Sequence, residues 1–253
     1  MVLDKLHRAK GAMMGLAVGD ALGTTLEFTQ PGTFTPITDI VGGGPFRLKP
    51  GEWTDDTSMA LCLAESLMER QTFDPIDQLQ RYTRWWREGH LSSNGRCFDI
   101  GNATRAALSR FMKTGEAFCG STDPQSAGNG SLMRLAPVAL FYASQPSEAI
   151  RRAAESSRTT HAADECVDAC RYMAGLLVGT LAGESKERLL ADSYGPPRAP
   201  GMKRHLRREL RRLRRGLFAE NSRRKYRDPV MLCVRWRPLF GHFIARTALS
   251  RPS

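Results

Sequence analysis

The sequence predicts an all-α fold: a single compact helical domain followed by an irregular basic tail. Three observations predict it. Apolar residues recur every three to four positions in segment after segment, as in Met59, Leu63 and Leu67 with Ala60 and Ala64 beside them. Helical segments follow one another with no alternating strand pattern between them. The 253 residues, 41% of them hydrophobic, suffice for one large core, and no apolar run approaches the roughly 18 residues of a membrane span.

The charge is unevenly distributed. Residues 196–253 carry 17 Lys and Arg against 3 Asp and Glu, whereas residues 1–195 carry 20 against 23. The overall charge of +11 therefore belongs to the tail. Such a tail can bind nucleic acid or an anionic surface. The segment Met1 to Lys10 is polar and mixed in charge, unlike a secretory signal. The six cysteines (62, 97, 119, 166, 170 and 233) contain no C-x-x-C pair, so reduced core thiols and a cytoplasmic location are expected.

Residues Lys5 to Phe28 read as a helix with small residues at Gly11, Ala12, Gly15 and Gly19. Glycine inside a helix costs about 1 kcal/mol relative to alanine, so close packing is the expected return. Asp20 and Glu27 lie at its polar end. Residues 29–53, rich in Gly, Pro and Thr, form a long loop of the kind that serves as a lid or binding loop. A helix then begins at Thr54-Asp55-Asp56. Two readings stand for this run: Thr54 or Asp55 caps the helix, with carboxylates suited to its first turn, or three adjacent oxygen donors converge on a hard cation such as Mg²⁺ or Mn²⁺.

The next helix spans 74–88, capped near Asp74 with Pro75 at its first position; Trp85 and Trp86 are read as packing residues. Phe98-Asp99-Ile100-Gly101-Asn102 opens a helix running to about Lys113, which Asp99 could cap. In Ser126 to Arg134 two glycines free the backbone to approach a ligand, and the loop leads into a helix over 131–144. Its N–H groups could cradle phosphate, or it could be a plain turn. A helix over 147–157 is expected to be capped by Ser147. His161, a structural hydrogen-bonder or a site residue, precedes an apolar helix over 162–182 with Cys166, Val167 and Cys170 inward, and Gly183 closes the last element.

Taken together, Gly-Asp-Ala-Leu-Gly (19–23) with Glu27, Gly-x-Trp-Thr-Asp-Asp (51–56), Phe-Asp-Ile-Gly-Asn (98–102), Gly-Asn-Gly-Ser-Leu-Met-Arg (128–134) and Thr-His-Ala (160–162) resemble the ADP-ribosylglycohydrolase family. The resemblance covers about residues 5–196, taken as one domain, and is nearest to ADP-ribosyl-dinitrogen reductase hydrolases. It implies a helical, monomeric enzyme with a binuclear Mg²⁺ or Mn²⁺ centre that cleaves the N-glycosidic bond between ADP-ribose and a protein side chain, usually arginine. It further implies Thr54, Asp55 and Asp56 as metal ligands and Glu27 and Asp99 as catalytic carboxylates. Asp20, Asn102, Gly128, Asn129, Gly130, Ser131, Met133 and His161 would contact the substrate.

The family's remaining ligands come from a C-terminal Asp-Asp-[Ala/Ser]-Asp-Thr block that this sequence lacks; after Asp192 its acidic residues are Glu209, Glu220 and Asp228. Codons allowed for residues 198–203 and for residues 228–243 both permit family-like peptides in one shifted frame. The tail, 197–253, is therefore expected to be out-of-frame sequence, and its basic run from Lys203 to Arg215 to have no evolved nucleic-acid role. Three functions follow in order: a hydrolase impaired by the missing ligands, a non-catalytic ADP-ribose-binding module, and a basic adaptor acting through residues 203–227.

Overall fold

A computed structural model describes residues 4–30 and 33–189. The tail, its domain boundary and its reading-frame expectation lie outside the described residues. Among the described residues there are eight α-helices: α1 (Lys5–Gly23), α2 (Asp55–Arg70), α3 (Pro75–Glu88), α4 (Asn102–Thr114), α5 (Ala136–Phe141), α6 (Pro146–Arg158), α7 (Asp164–Leu181) and α8 (Lys186–Leu189). Among the described residues there is no strand, only two isolated bridges, Gly43 with Leu48 and Ser121 with His161. None of the described helices is long and apolar enough to cross a membrane.

The core forms around α2. Met59, Cys62, Leu63 and Leu67 are buried on it and share one cluster with Leu79, Tyr82 and Trp85 of α3, Val138 and Ala139 of α5, and, beyond α5, Cys170 and Ala174 of α7. Trp85 is buried and Trp86 packs against the same cluster, as packing residues should. Helix α6 lies along α7 through Ala149, Ile150 and Ala153. The cysteines at 62, 97, 119, 166 and 170 are free thiols.

Several boundaries differ from the sequence reading, each for a local reason. Helix α1 stops at Gly23, and a 3₁₀ turn (Thr24–Leu26) carries the chain to Phe28, whose φ of 62° cannot continue a helix. Helix α4 begins only at Asn102 with Gly101 at its N-cap, so Asp99 does not cap it. The helix expected over 131–144 shrinks to Ala136–Phe141. Proline at position 137 has no N–H to bond back one turn, so residues 129–135 form successive tight turns instead. Ser147 is not the cap of α6, because Pro146 takes the first helical position and Gln145 the cap.

A buried polar staple joins α2 to α3. Arg81, 7% exposed, bonds Asp77 at 2.6 Å and Glu69 at 2.6 Å, and also pairs with Glu65. His90 reaches Glu65 at 2.7 Å. Replacing Arg81 by Met would leave Asp77 buried without its main cation. Loss of a buried partner costs about 3 kcal/mol, so urea denaturation of Arg81→Met is expected to show a loss of that size with the helical content of the folded state unchanged.

Candidate active site

Helix α2 presents its N-terminus to α1, and two carboxylates from other elements satisfy it. Asp20, 1% exposed on α1, accepts the Thr54 hydroxyl at 2.6 Å through Oδ1. Its Oδ2 accepts the N–H groups of Thr54 and Thr57, each at 3.0 Å, and the Thr57 hydroxyl at 2.7 Å. Asp99 Oδ2 accepts the N–H of Asp55 at 2.8 Å. Thr54 holds the N-cap position, yet its side chain makes no capping bond. Capping is thus done from outside the helix, and the capping reading of Thr54-Asp55-Asp56 is replaced. A hydroxyl that donates to Asp20 still offers oxygen lone pairs to another partner.

The surroundings of this helix end are strongly acidic. Asp55 is held well above the usual carboxylate range by burial first, then by the charges of Asp99, Asp56, Asp20 and Glu27. Burial pushes Asp99 up to about 7; the Asp55 N–H pulls the other way, and Asp20, Asp56 and Glu27 push further up. Thr24 donates to Glu27 at 3.4 Å. Beside Glu27, Phe28 is exposed in a left-handed conformation, and its ring begins a ladder through Phe46 (6.3 Å) to Phe98 (5.3 Å). The ladder links the Glu27 segment to the Asp99 segment. Mutually repelling oxygen donors are the chemistry of a hard-cation site, which Thr54, Asp55 and Asp56 fit as donors. Among the described residues no three acidic, His or Cys side chains are arranged to enclose an ion.

The second cluster is the glycine loop. Gly128 and Cys166 bond reciprocally, N–H to Sγ at 3.4 Å and thiol to carbonyl at 3.3 Å. Ser131 turns inward, with Ser157 at 2.8 Å, and Met133 is 7% exposed within the core. His161 is buried, its Nδ1 2.8 Å from the Thr160 hydroxyl. A Cβ on Gly130 would meet the imidazole Cε1 at 2.6 Å, so only glycine fits beneath this ring. The same Cβ would lie 3.3 Å from Thr104 Oγ1, which places α4 against the loop. Residues 98–104 therefore touch both clusters, at Asp55 through Asp99 and at the loop through Thr104. Asn102 is exposed at the start of α4, and Asn129 is half-buried on the loop.

Residues that sequence reasoning did not single out hold these clusters in place. Thr57 doubles the grip of Asp20, one position past the Thr-Asp-Asp run. Arg134 is completely buried and donates to Gly130 O at 2.7 Å. A threonine after two acids and an arginine closing a glycine motif were visible in the sequence, but nothing there showed which way they point.

The pattern of the ADP-ribosylglycohydrolase family matches residues 1–242. The chain belongs to that family. It is 51% identical over 186 residues to ADP-ribosylarginine hydrolase Tri1 of Pseudomonas putida, covering 74% of this chain and 50% of that protein. To Tri1 of Serratia proteamaculans it is 45% identical over 193 residues, 76% of this chain and 52% of that one. ADP-ribosyl-[dinitrogen reductase] glycohydrolase of Rhodospirillum rubrum is 39% identical over 161 residues, 61% and 51% of the two chains. A solved structure, an ADP-ribosylglycohydrolase-related protein complex, superposes with a TM-score of 0.70 at 45% identity, covering 84% of this chain and 68% of that chain. The chain spans about half the length of the curated relatives it matches.

Two outcomes are expected at the loop. Gly130→Ala must displace His161 or the loop, so it should weaken any ligand held there by more than tenfold, roughly the effect of a misplaced contact, while far-UV circular dichroism stays unchanged. His161 is driven down to about 3, by burial first and then by Arg134. Its ordinary value of 6.5 applies to the unfolded chain, which therefore takes up the proton first as pH falls. This contribution to stability is complete above that pH and declines below it, and His161→Gln should lack that decline. The imidazole resonances should not titrate between about pH 8 and pH 5.

Proposed function

We propose that this chain acts on ADP-ribose joined to a protein side chain, arginine first, and hydrolyses the N-glycosidic bond. The observation that carries the reading is the outside capping of α2: Asp20 and Asp99 take the N–H groups of Thr54, Asp55 and Thr57, so the side chains of Thr54, Asp55 and Asp56 are not needed as caps. In this reading these three residues hold a divalent cation, Mg²⁺ or Mn²⁺. Such an ion, when bound, polarises a water and orients ribose hydroxyls.

The chain's own groups supply the rest. Asp99, whose Oδ2 accepts the Asp55 N–H beside these donors, is the nearer carboxylate for proton exchange in this reading. Glu27 or Asp99 takes a proton from water as its oxygen bonds to the anomeric carbon; the C–N bond breaks and the guanidine nitrogen leaves protonated. The backbone of Gly128 to Gly130 receives the diphosphate, with Asn129 and Asn102 at the ribose ends. Asp20 and His161 position α2 and the loop, and Ser131 and Met133 anchor the loop to the core. The partner is an ADP-ribosylated protein, and in this reading the chain works in the cytoplasm as a monomer.

These 253 residues contain no Asp-Asp-x-Asp-Thr block, so by themselves they supply ligands from one side of a two-ion centre. We therefore expect release of ADP-ribose from ADP-ribosylarginine to be orders of magnitude slower than in a complete two-ion site. A second reading, a non-catalytic ADP-ribose-binding module, rests on the glycine loop alone, where Gly130 packs beneath His161. Calorimetry with ADP-ribose and a release assay, run side by side, separate them. Binding with Mg²⁺-dependent release supports the hydrolase, binding without release supports the module, and no binding at millimolar ADP-ribose overturns both.

Asp55→Asn gives an independent check. Removing one of several repelling carboxylates should raise the melting temperature in EDTA, by a few degrees for about 1 kcal/mol. The same variant should lose the stabilisation that Mg²⁺ or Mn²⁺ gives the wild type by binding the folded state. An unchanged response to the metal would remove Asp55 from the ligand set.

A further inference from the structure

Arg134 has no exposed surface. Its Nη1 donates to Gly130 O at 2.7 Å, and its Nη2 to Thr160 Oγ1 at 2.7 Å and to Ser156 O and Thr159 Oγ1 at 3.3 Å each. The guanidinium lies over the Tyr82 ring, 4.6 Å from its centre. Carbonyls, hydroxyls and a ring surround it, and none of the ion pairs among the described residues involves it. Its Nε has no hydrogen-bond partner, and neither does Gln78 Oε1, which belongs to the same network through Thr159. A buried cation in this state is costly, and its field is not cancelled locally.

We infer that Arg134 is the charge behind the glycine loop: a positioning residue that holds the Gly130 carbonyl inward and supplies the positive potential that an ADP-ribose diphosphate meets at Gly128 to Gly130. This rests on the reading of that loop as the diphosphate site. Three features converge on it. Drawing the Gly130 carbonyl toward the guanidinium turns the negative end of that peptide dipole away from an incoming anion. The Thr160 hydroxyl that accepts from Arg134 also meets His161 Nδ1, and the His161 ring packs on Gly130, so the loop is clamped between the two side chains. The imidazole itself is neutral there, which leaves the guanidinium to provide the charge. Low dielectric around a buried charge extends its reach, so it can act on an anion it does not touch.

A role as mere glue between the loop and α6 predicts something different, because it would not distinguish ligands by charge. Binding of ADP-ribose and of adenosine is measured by calorimetry at fixed free Mg²⁺ for wild type, Arg134→Gln and Arg134→Lys, with folding checked by circular dichroism. Arg134→Gln should lose at least about tenfold in affinity for ADP-ribose, the size of a partly screened unit charge, and little for adenosine. Arg134→Lys keeps the charge without the planar fork and should retain most of the affinity. Inorganic pyrophosphate should compete with ADP-ribose on the wild type, and affinity should fall as salt rises. Equal losses for both ligands in a folded Arg134→Gln overturn the inference. Should that variant not fold, the lysine variant and the wild-type competition decide, and pyrophosphate that fails to compete overturns it. Wild type that does not bind ADP-ribose defeats the loop reading and this inference together, whereas wild-type binding indifferent to charge defeats this inference alone.

Discussion

The site depends on one carboxylate. Asp20 reaches from α1 into the end of α2 and accepts four hydrogen bonds, from the backbone and hydroxyls of Thr54 and Thr57. Each is a charge-assisted bond in a buried place, where such bonds are strong and an unmade one is expensive. They fix the direction in which α2 leaves the loop and the rotation of its first turn. With that turn fixed, Asp99 can meet the Asp55 N–H, and the segment after it can carry Thr104 to the glycine loop. The same carboxylate relieves Thr54, Asp55 and Asp56 of the capping work their position would otherwise give them.

Charge is arranged in two opposed places. At the α2 end, the charges of Asp20, Glu27 and Asp56 raise the proton affinity of Asp55 and Asp99, so the folded chain stores repulsion there. Under the glycine loop, Arg134 is a cation held by neutral groups. Neither arrangement serves stability alone: crowding like charges and burying a cation outside any ion pair both violate what burial of charge ordinarily requires. Such violations concentrate where a protein must bind something charged. A cation complements the first and an anion the second, which is the pairing that the proposed ADP-ribose site with a divalent ion would use. The Arg81 staple on the other side of α2, by contrast, is a cation surrounded by carboxylates and needs no ligand.

Much of the fold was legible in the sequence because helical periodicity is a local property. The stripe of Met59, Leu63 and Leu67, the Asp74-Pro75 start and the apolar run after His161 each placed a helix near its observed position. Boundaries failed where a single residue overruled the pattern. Phe28 took a left-handed turn, and the prolines at 137 and 146 dictated where α5 and α6 begin. The segments that form the two clusters were also legible, as unusual Gly, Asp and Thr runs. The directions of their side chains were not: Ser131 and Met133 face the core, and Asp99 caps a helix 44 residues earlier in the chain.

The sequence by itself determined the helical class, the family and the stretches from which a site is built, because residue type, spacing and motif order carry that information. Only the tertiary structure decided what each carboxylate does. A Thr-Asp-Asp run at a helix start is a cap or a ligand set according to whether other groups satisfy the helix's N–H donors, and those groups come from α1 and from the Asp99 segment. Likewise nothing in the motif shows that Arg134 is buried; Tyr82 of α3, Ser156 of α6, Thr159 and Thr160 surround it only in the fold. Hydrogen-bond partners distant in sequence settle such questions, and no local pattern encodes them.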